Sequence, residues 1–168
     1  MNQLEYFNSI RTFIFDVDGV LTNSQLLITE KGELLRSMNT RDGYAIATAI
    51  RAGYDMAIIT GGSSTGVTER LKGLGVVHLY TGYTGNRHKI DAYEELLEIL
   101  NADEESILYM GDDVPDMEVM LRVGLPACPA DAAPEVRKIS RYVSHVNGGQ
   151  GCVRDVIERV LRLNGDWG

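Results

Sequence analysis

Two aspartates, Asp16 and Asp18, stand two positions apart in the run Thr12 to Val20, TFIFDVDGV, where an apolar stretch ends and a glycine follows. That is a layout for phosphoryl chemistry, in which one carboxylate attacks phosphorus and its neighbour carries a proton. Like charges this close cannot both act as bases unless something offsets their repulsion, and a divalent cation would do so. A second acidic cluster, GDDVPD from Gly111 to Asp116, follows another apolar run, Ser106 to Met110. Carboxylate oxygens with a backbone carbonyl suit magnesium, a hard ion that keeps several waters and shares a substrate phosphate. Asp16 then serves as nucleophile and metal ligand together, with Asp18 as the proton carrier.

Two further groups complete the set. Met56 to Thr60, MAIIT, is an apolar run ending in a hydroxyl, followed by Gly61, Gly62, Ser63 and Ser64, where a helix starts. Backbone amides there can cradle phosphate oxygens, although Thr60 also suits a helix cap. Lys89, in RHKIDAY, lies in the first turn of a strongly periodic helix whose apolar positions are Ile90, Tyr93, Leu96, Leu97 and Leu100. A lysine at this end opposes the helix dipole, which suggests that it serves a bound anion.

Positioning such groups requires strands that end together. Apolar strands alternate with helical patterns along the chain, which predicts an α/β fold with a doubly wound, mainly parallel sheet. The strands are expected near residues 12 to 16, 55 to 59, 77 to 80, 106 to 110 and 125 to 128, with a short one at 142 to 143. Helices are expected near 43 to 52, 64 to 73, 87 to 100, 115 to 122, 134 to 140 and 152 to 163. Both acidic clusters then emerge at carboxyl ends of strands, where open α/β sheets keep their ligands. Between Asp18 and Arg41 the pattern changes: LLIT, EKGE and LLRSM read as a β-hairpin turning at Lys31 and Gly32.

At 168 residues and 44% hydrophobic content, the chain can bury one good core and is expected to form a single domain over 1–168. A formal net charge of −8 argues against a nucleic-acid partner, so an anionic substrate must be drawn by local cations such as Lys89 and Arg41. The start, MNQLEYFNSIRTF, carries neither a positive flank nor a long apolar stretch, and no membrane span is expected. Cys128 and Cys152 are far apart and lack metal-ligand spacing, so a reduced, cytoplasmic protein is expected; the three histidines are scattered and are not expected to ligate metal.

In order along the chain, DVDG, the strand-ending Thr60, Lys89 and GDDVPD resemble the four motifs of the haloacid dehalogenase superfamily. This combination is far more specific than a DxD pair alone. The short chain without room for a cap domain, RDGYAI after the first motif, and NGGQGCVRDV near the end resemble the 3-deoxy-D-manno-octulosonate 8-phosphate phosphatases.

The resemblance implies two-step hydrolysis of a phosphate monoester. Asp16 forms an aspartyl phosphate while Asp18 protonates the leaving alkoxide and then serves as base towards water. It further implies that Mg2+ is held by Asp16, Asp112 and the main-chain carbonyl of Asp18, with Thr60, Gly61 and Lys89 on the phosphate. Of Asp113 and Asp116, one is expected to orient metal waters and the other to pair with Lys89. Arg41, beside Asp42 and Gly43, is a candidate for a sugar carboxylate, or else pairs with Asp42 or Glu33. Gly148, Gly149, Gly151 and Arg154 read either as a tail that folds over a site or as a loop before a helix.

Gly62 stands where related phosphatases of nine-carbon keto acids tend to carry an acid, which favours an eight-carbon substrate. The exposed apolar residues Leu26, Leu27, Ile28, Leu34 and Leu35 of the hairpin suggest packing between subunits, and the resemblance implies a homotetramer in which a neighbour covers each site. Other readings are a nine-carbon phosphatase for ketodeoxynonulosonate or acylneuraminate 9-phosphates, a receiver-type phospho-accepting domain, and an inactive scaffold.

Overall fold

β1 (Thr12–Phe15) is buried at every position and forms the middle of a six-stranded sheet. The chain is described here by a computed structural model covering residues 2–168. The other strands of this sheet are β4 (Asp55–Ile59), β5 (His78–Tyr80), β6 (Ile107–Met110), β7 (Leu125–Cys128) and β8 (Tyr142–Val143). All neighbouring pairs are parallel, in the order β5-β4-β1-β6-β7-β8. Counted in chain order within the sheet, that is 3-2-1-4-5-6, the doubly wound order whose direction reverses at the first strand. A receiver domain has the order 2-1-3-4-5, so the topology argues against that reading. Every strand lies within one residue of its expected place.

Helices cover both faces. α1 (Gln3–Ser9), α2 (Thr40–Arg51), α3 (Thr65–Gly73) and α7 (Cys152–Asn164) lie with one core, which includes Phe13, Phe15, Ile46, Leu71, Val156 and Val160. α4 (Lys89–Leu100), α5 (Met117–Met120) and α6 (Pro134–Ile139) cover the other, around Ile14, Ile59, Tyr93, Leu96 and Tyr109. Alternate residues of β1 feed alternate cores, because strand side chains point to opposite faces in turn. α1 is an addition to the expected elements. Asn2 caps it in a reciprocal box with Glu5, and Phe7 inserts into the core edge-on to Tyr142.

The hairpin is present but short, with β2 (Leu27–Ile28) antiparallel to β3 (Leu34–Leu35). Its turn falls where expected: Gly32 has φ of 80° and donates to the Thr29 carbonyl at 2.9 Å. Leu27 and Ile28 are 68% and 66% exposed, so this apolar pair has no cover from its own chain. Both cysteines are free and buried, and no described helix is long and apolar enough to cross a membrane.

Candidate active site

The reversal of strand order opens a crevice between the carboxyl ends of β1 and β6, and both acidic clusters arrive there. Asp16 immediately follows β1, Asp112 follows β6 after Gly111, and both line a cavity of about 600 Å3. Asp18, Thr60, Gly61, Gly62, Lys89, Asp113 and Asp116 line the same cavity. After Asp16 the chain makes a wide helical turn over Val17–Leu21, broken by extended Asp18 and by Gly19 at φ of 92°. A β-carbon at Gly19 would overlap the Asp112 carboxylate, so this turn needs glycine both for its backbone angle and for space.

Lys89 is the hub of the buried charges. Its Nζ lies 2.9 Å from Asp16 Oδ1 and 2.7 Å from Asp116 Oδ1. Burial opposes its positive charge, but the two carboxylates outweigh that and hold the ammonium above its ordinary pKa. Asp116 is the most fully engaged acid. Its Oδ1 accepts from Lys89 and from the Tyr109 hydroxyl, and its Oδ2 accepts from the backbone N–H groups of Asp112 and Asp113 at 3.1 and 3.3 Å. The open pairing of Lys89 is thereby decided in favour of Asp116. Asp113 instead sits at the exposed rim, where its Oδ1 accepts from Val114 N–H at 2.8 Å.

Asp16 Oδ1 also accepts from Val17 N–H at 2.7 Å. Burial, then the Asp116 charge, pushes the Asp16 carboxyl well above the usual range despite Lys89. Burial and the neighbouring Asp116 and Asp113 likewise push Asp112 up to about 7. Asp112 Oδ1 is buried without a hydrogen-bond partner. Oxygens of Asp16, Asp112 and Asp116 lie within 4.8 Å of one another. Four donors already occupy Asp116, so Asp16 and Asp112 remain with oxygen to offer. An orphaned carboxylate oxygen among crowded acids fits a hard divalent cation, which would satisfy it and relieve the repulsion.

Thr60 Oγ1 accepts from Gly62 N–H at 3.2 Å, while Ser64 caps α3 through Val67 N–H. The capping role weighed for Thr60 therefore belongs to Ser64, and Thr60 is left on the cavity wall. Asp18 makes a contact that no local sequence pattern signals. Arg36, just past β3, grips it with Nε to Oδ1 at 2.6 Å and Nη2 to Oδ2 at 3.1 Å. The Arg36 side chain is only 7% exposed, so the hairpin is tied directly to Asp18. A β-carbon at Gly62 would lie 3.1 Å from Arg36 Nη2 and 3.4 Å from Asp18 Oδ2. An acid at this position would compete with Asp18 for the guanidinium.

The remaining candidates lie elsewhere in this chain. Arg41 is exposed at the start of α2, does not line the cavity, and pairs with neither Asp42 nor Glu33. Asp42 is 1% exposed and accepts from Arg154 N–H at 2.8 Å, acting as a remote cap for α7, whose own N-cap residue, Gly151, has no side chain. Gly43 packs against Arg70 and Leu74. Arg154 pairs with Glu158 at 2.9 Å and lies over the Trp167 ring.

Gly148 and Gly149 press on the backbone of Gly19, Thr22 and Asn23, with Gly149 N–H donating to Val20 O at 2.9 Å. The tail therefore backs the Asp16–Asp18 loop, and Gly149 and Arg154 do not line the cavity. Tyr83, Thr84, Gly85, Arg87 and His88 do line it, on the loop between β5 and α4. Tyr83, Thr84 and Gly85 lie on an irregular stretch with no periodicity to read, and Arg87 and His88 precede Lys89, where α4 begins two residues later than expected.

The family model for haloacid dehalogenase-like hydrolases matches residues 43–129. A 3-deoxy-D-manno-octulosonate 8-phosphate phosphatase of Salmonella typhi is 41% identical over 157 residues, 94% of this chain and 82% of that protein. The solved structure of the Yersinia pestis phosphatase of the same name superposes with a TM-score of 0.92 at 38% identity, covering 97% of this chain and 86% of that one. A Moraxella catarrhalis phosphatase of that name, solved with magnesium, phosphate and KDO, has a TM-score of 0.89 at 30% identity, covering 95% of this chain and 90% of that one. This chain belongs to the haloacid dehalogenase-like hydrolases.

Proposed function

We propose that this protein is a magnesium-dependent phosphatase that hydrolyses 3-deoxy-D-manno-octulosonate 8-phosphate to the free sugar acid and phosphate. What carries the reading is the joining of near-full-length similarity to phosphatases of that name with a cavity that holds Asp16, Asp18, Thr60, Lys89 and Asp112 together.

Asp16 attacks phosphorus in line, and the P–O bond to the sugar breaks as the P–O bond to the carboxylate forms. Asp18 gives its proton to the departing sugar oxygen, then takes one from the water that hydrolyses the aspartyl phosphate. Lys89 and Thr60, with the amides after it, bind the transferring oxygens, and the Asp116 network keeps the lysine fixed. Asp16, Asp112 and the main-chain carbonyl of Asp18 would hold a magnesium ion, which would supply positive charge to those oxygens. Arg36 fixes the direction of Asp18.

The resemblance further implies a cytoplasmic step in lipopolysaccharide inner-core synthesis and a homotetramer. The uncovered hairpin apolar residues, Leu27 and Ile28 above all, support assembly through the hairpins, with a neighbour covering the cavity. In light scattering after gel filtration, Leu27→Asp with Ile28→Asp is expected to give monomers.

The decisive assay measures phosphate release with magnesium from the eight-carbon ester, nine-carbon 9-phosphates and neutral sugar phosphates. Preference for the eight-carbon ester, lost in Asp16→Asn, supports the reading. A nine-carbon preference would keep the chemistry and overturn the substrate, and no release from any ester would favour a scaffold.

A further inference from the structure

Two cavity-lining residues carry fixed positive charge among those described, Lys89 and Arg87. Lys89 is engaged by Asp16 and Asp116, whereas Arg87 takes part in no described ion pair. An aromatic surface holds it instead: its guanidinium carbon lies 4.1 Å from the centroid of the Tyr83 ring. Tyr83 in turn meets the buried Tyr80 edge-on, with ring centroids 6.0 Å apart, which roots the pair in β5. An arginine placed by its flat face keeps its N–H edge for a planar anion, and a carboxylate matches that fork.

The cavity wall otherwise carries Asp16, Asp18, Asp112, Asp113, Asp116 and Glu118. A second anionic group on the substrate would be repelled there unless a cation met it, while a neutral sugar phosphate needs no such cation. Arg41, the sequence candidate for this task, does not reach the cavity in its own chain. Resting on the proposed sugar-acid phosphatase function, we infer that Arg87, mounted on Tyr83, binds the carboxylate of the sugar-acid leaving group and sets selectivity for acid over neutral sugar phosphates.

The test compares kcat/KM for 3-deoxy-D-manno-octulosonate 8-phosphate with that for the neutral arabinose 5-phosphate, in wild type, Arg87→Gln, Arg87→Lys and Tyr83→Leu. The acid-to-neutral ratio is expected to fall at least about tenfold in Arg87→Gln, equivalent to about 1.4 kcal/mol, and less in Arg87→Lys, which keeps the charge but not the fork. Tyr83→Leu should lower the ratio in the same direction, and the inhibition constant of the free sugar acid should rise in Arg87→Gln. A wild type selective for the acid whose ratio survives in Arg87→Gln would overturn this inference alone. A wild type that treats both esters alike would overturn the proposed function and this inference together.

Discussion

Asp112 and Asp42 are both substantially buried, both have a carboxyl pushed well above the ordinary range, and each keeps one oxygen without a partner. Only one of them belongs to a chemical site. Asp112 faces a cavity beside Asp16 and Asp116, so its unpaired oxygen adds to a set that a cation can complete. Asp42 faces the start of α7, where a single backbone N–H meets it, and it joins no group of three or more potential metal ligands among the described residues. Burial and a raised pKa therefore do not identify a reactive acid; convergence on open space does.

The sharpest way to break this contrast is to neutralise each acid separately. Asp16→Asn should reduce phosphate release by about 10⁴-fold or more, since it removes the attacking oxygen, while Asp42→Asn should stay within about threefold. A large loss in Asp42→Asn would place α2 in the chemistry after all. Lys89→Met comes next. It should lower kcat about 10²- to 10³-fold and, by leaving Asp16 and Asp116 buried without their cation, destabilise the fold by about 3–5 kcal/mol in urea titrations.

The pH dependence of Asp42 has a definite sign. Burial raises its pKa from 3.8 to about 6, so the folded state holds its proton longer than the unfolded chain. Its contribution is complete below the unfolded value and is lost as pH rises through about 6, at a cost on the order of 3 kcal/mol. Asp42→Asn keeps an acceptor for Arg154 N–H without the charge. It should melt higher than wild type at pH 8, with the gain vanishing near pH 4.

The smallest effect separates the two acids by ligand. Magnesium at about 100 times its dissociation constant should stabilise the protein by about 2.7 kcal/mol. Because protons on Asp112, whose carboxyl rises to about 7, compete with the ion, that gain should be larger at pH 8 than at pH 5.5. Asp42→Asn should keep the magnesium response in a thermal melt, and Asp112→Asn should lose most of it.

What could be read from the sequence follows the same division. TFIF, MAII and ILYM announce buried parallel strands because they are short apolar runs closed by glycine or a polar residue, and Asp16, Thr60 and Asp112 lie just past their ends. Lys89 is legible because its position violates the helix dipole. Arg36 lies 18 residues from Asp18, on an irregular stretch after a two-residue strand, so no period connects them. RDGYAI and NGGQGCVRDV stand out as strings, but composition cannot tell a ligand contact from a structural joint. In this chain they meet each other, through Asp42 and Arg154. Asn2 and Glu5 are spaced as a capping box for α1, but its seven residues bury Phe7 alone, too few apolar positions to set a period.

The glycine clasp behind the Asp16–Asp18 loop makes the far end of the polypeptide part of the tolerance of the reaction centre. Cys152 Sγ donates to Val20 O at 3.2 Å, and a side chain at Gly148 would collide with the Gly19 carbonyl. A β-carbon added there touches no substrate, yet it would shift the loop that carries Asp16 and Asp18. A screen for lost turnover would thus return lesions near residue 148 that mimic damage to the nucleophile, and rescue would come from trimming bulk rather than from restoring any charge.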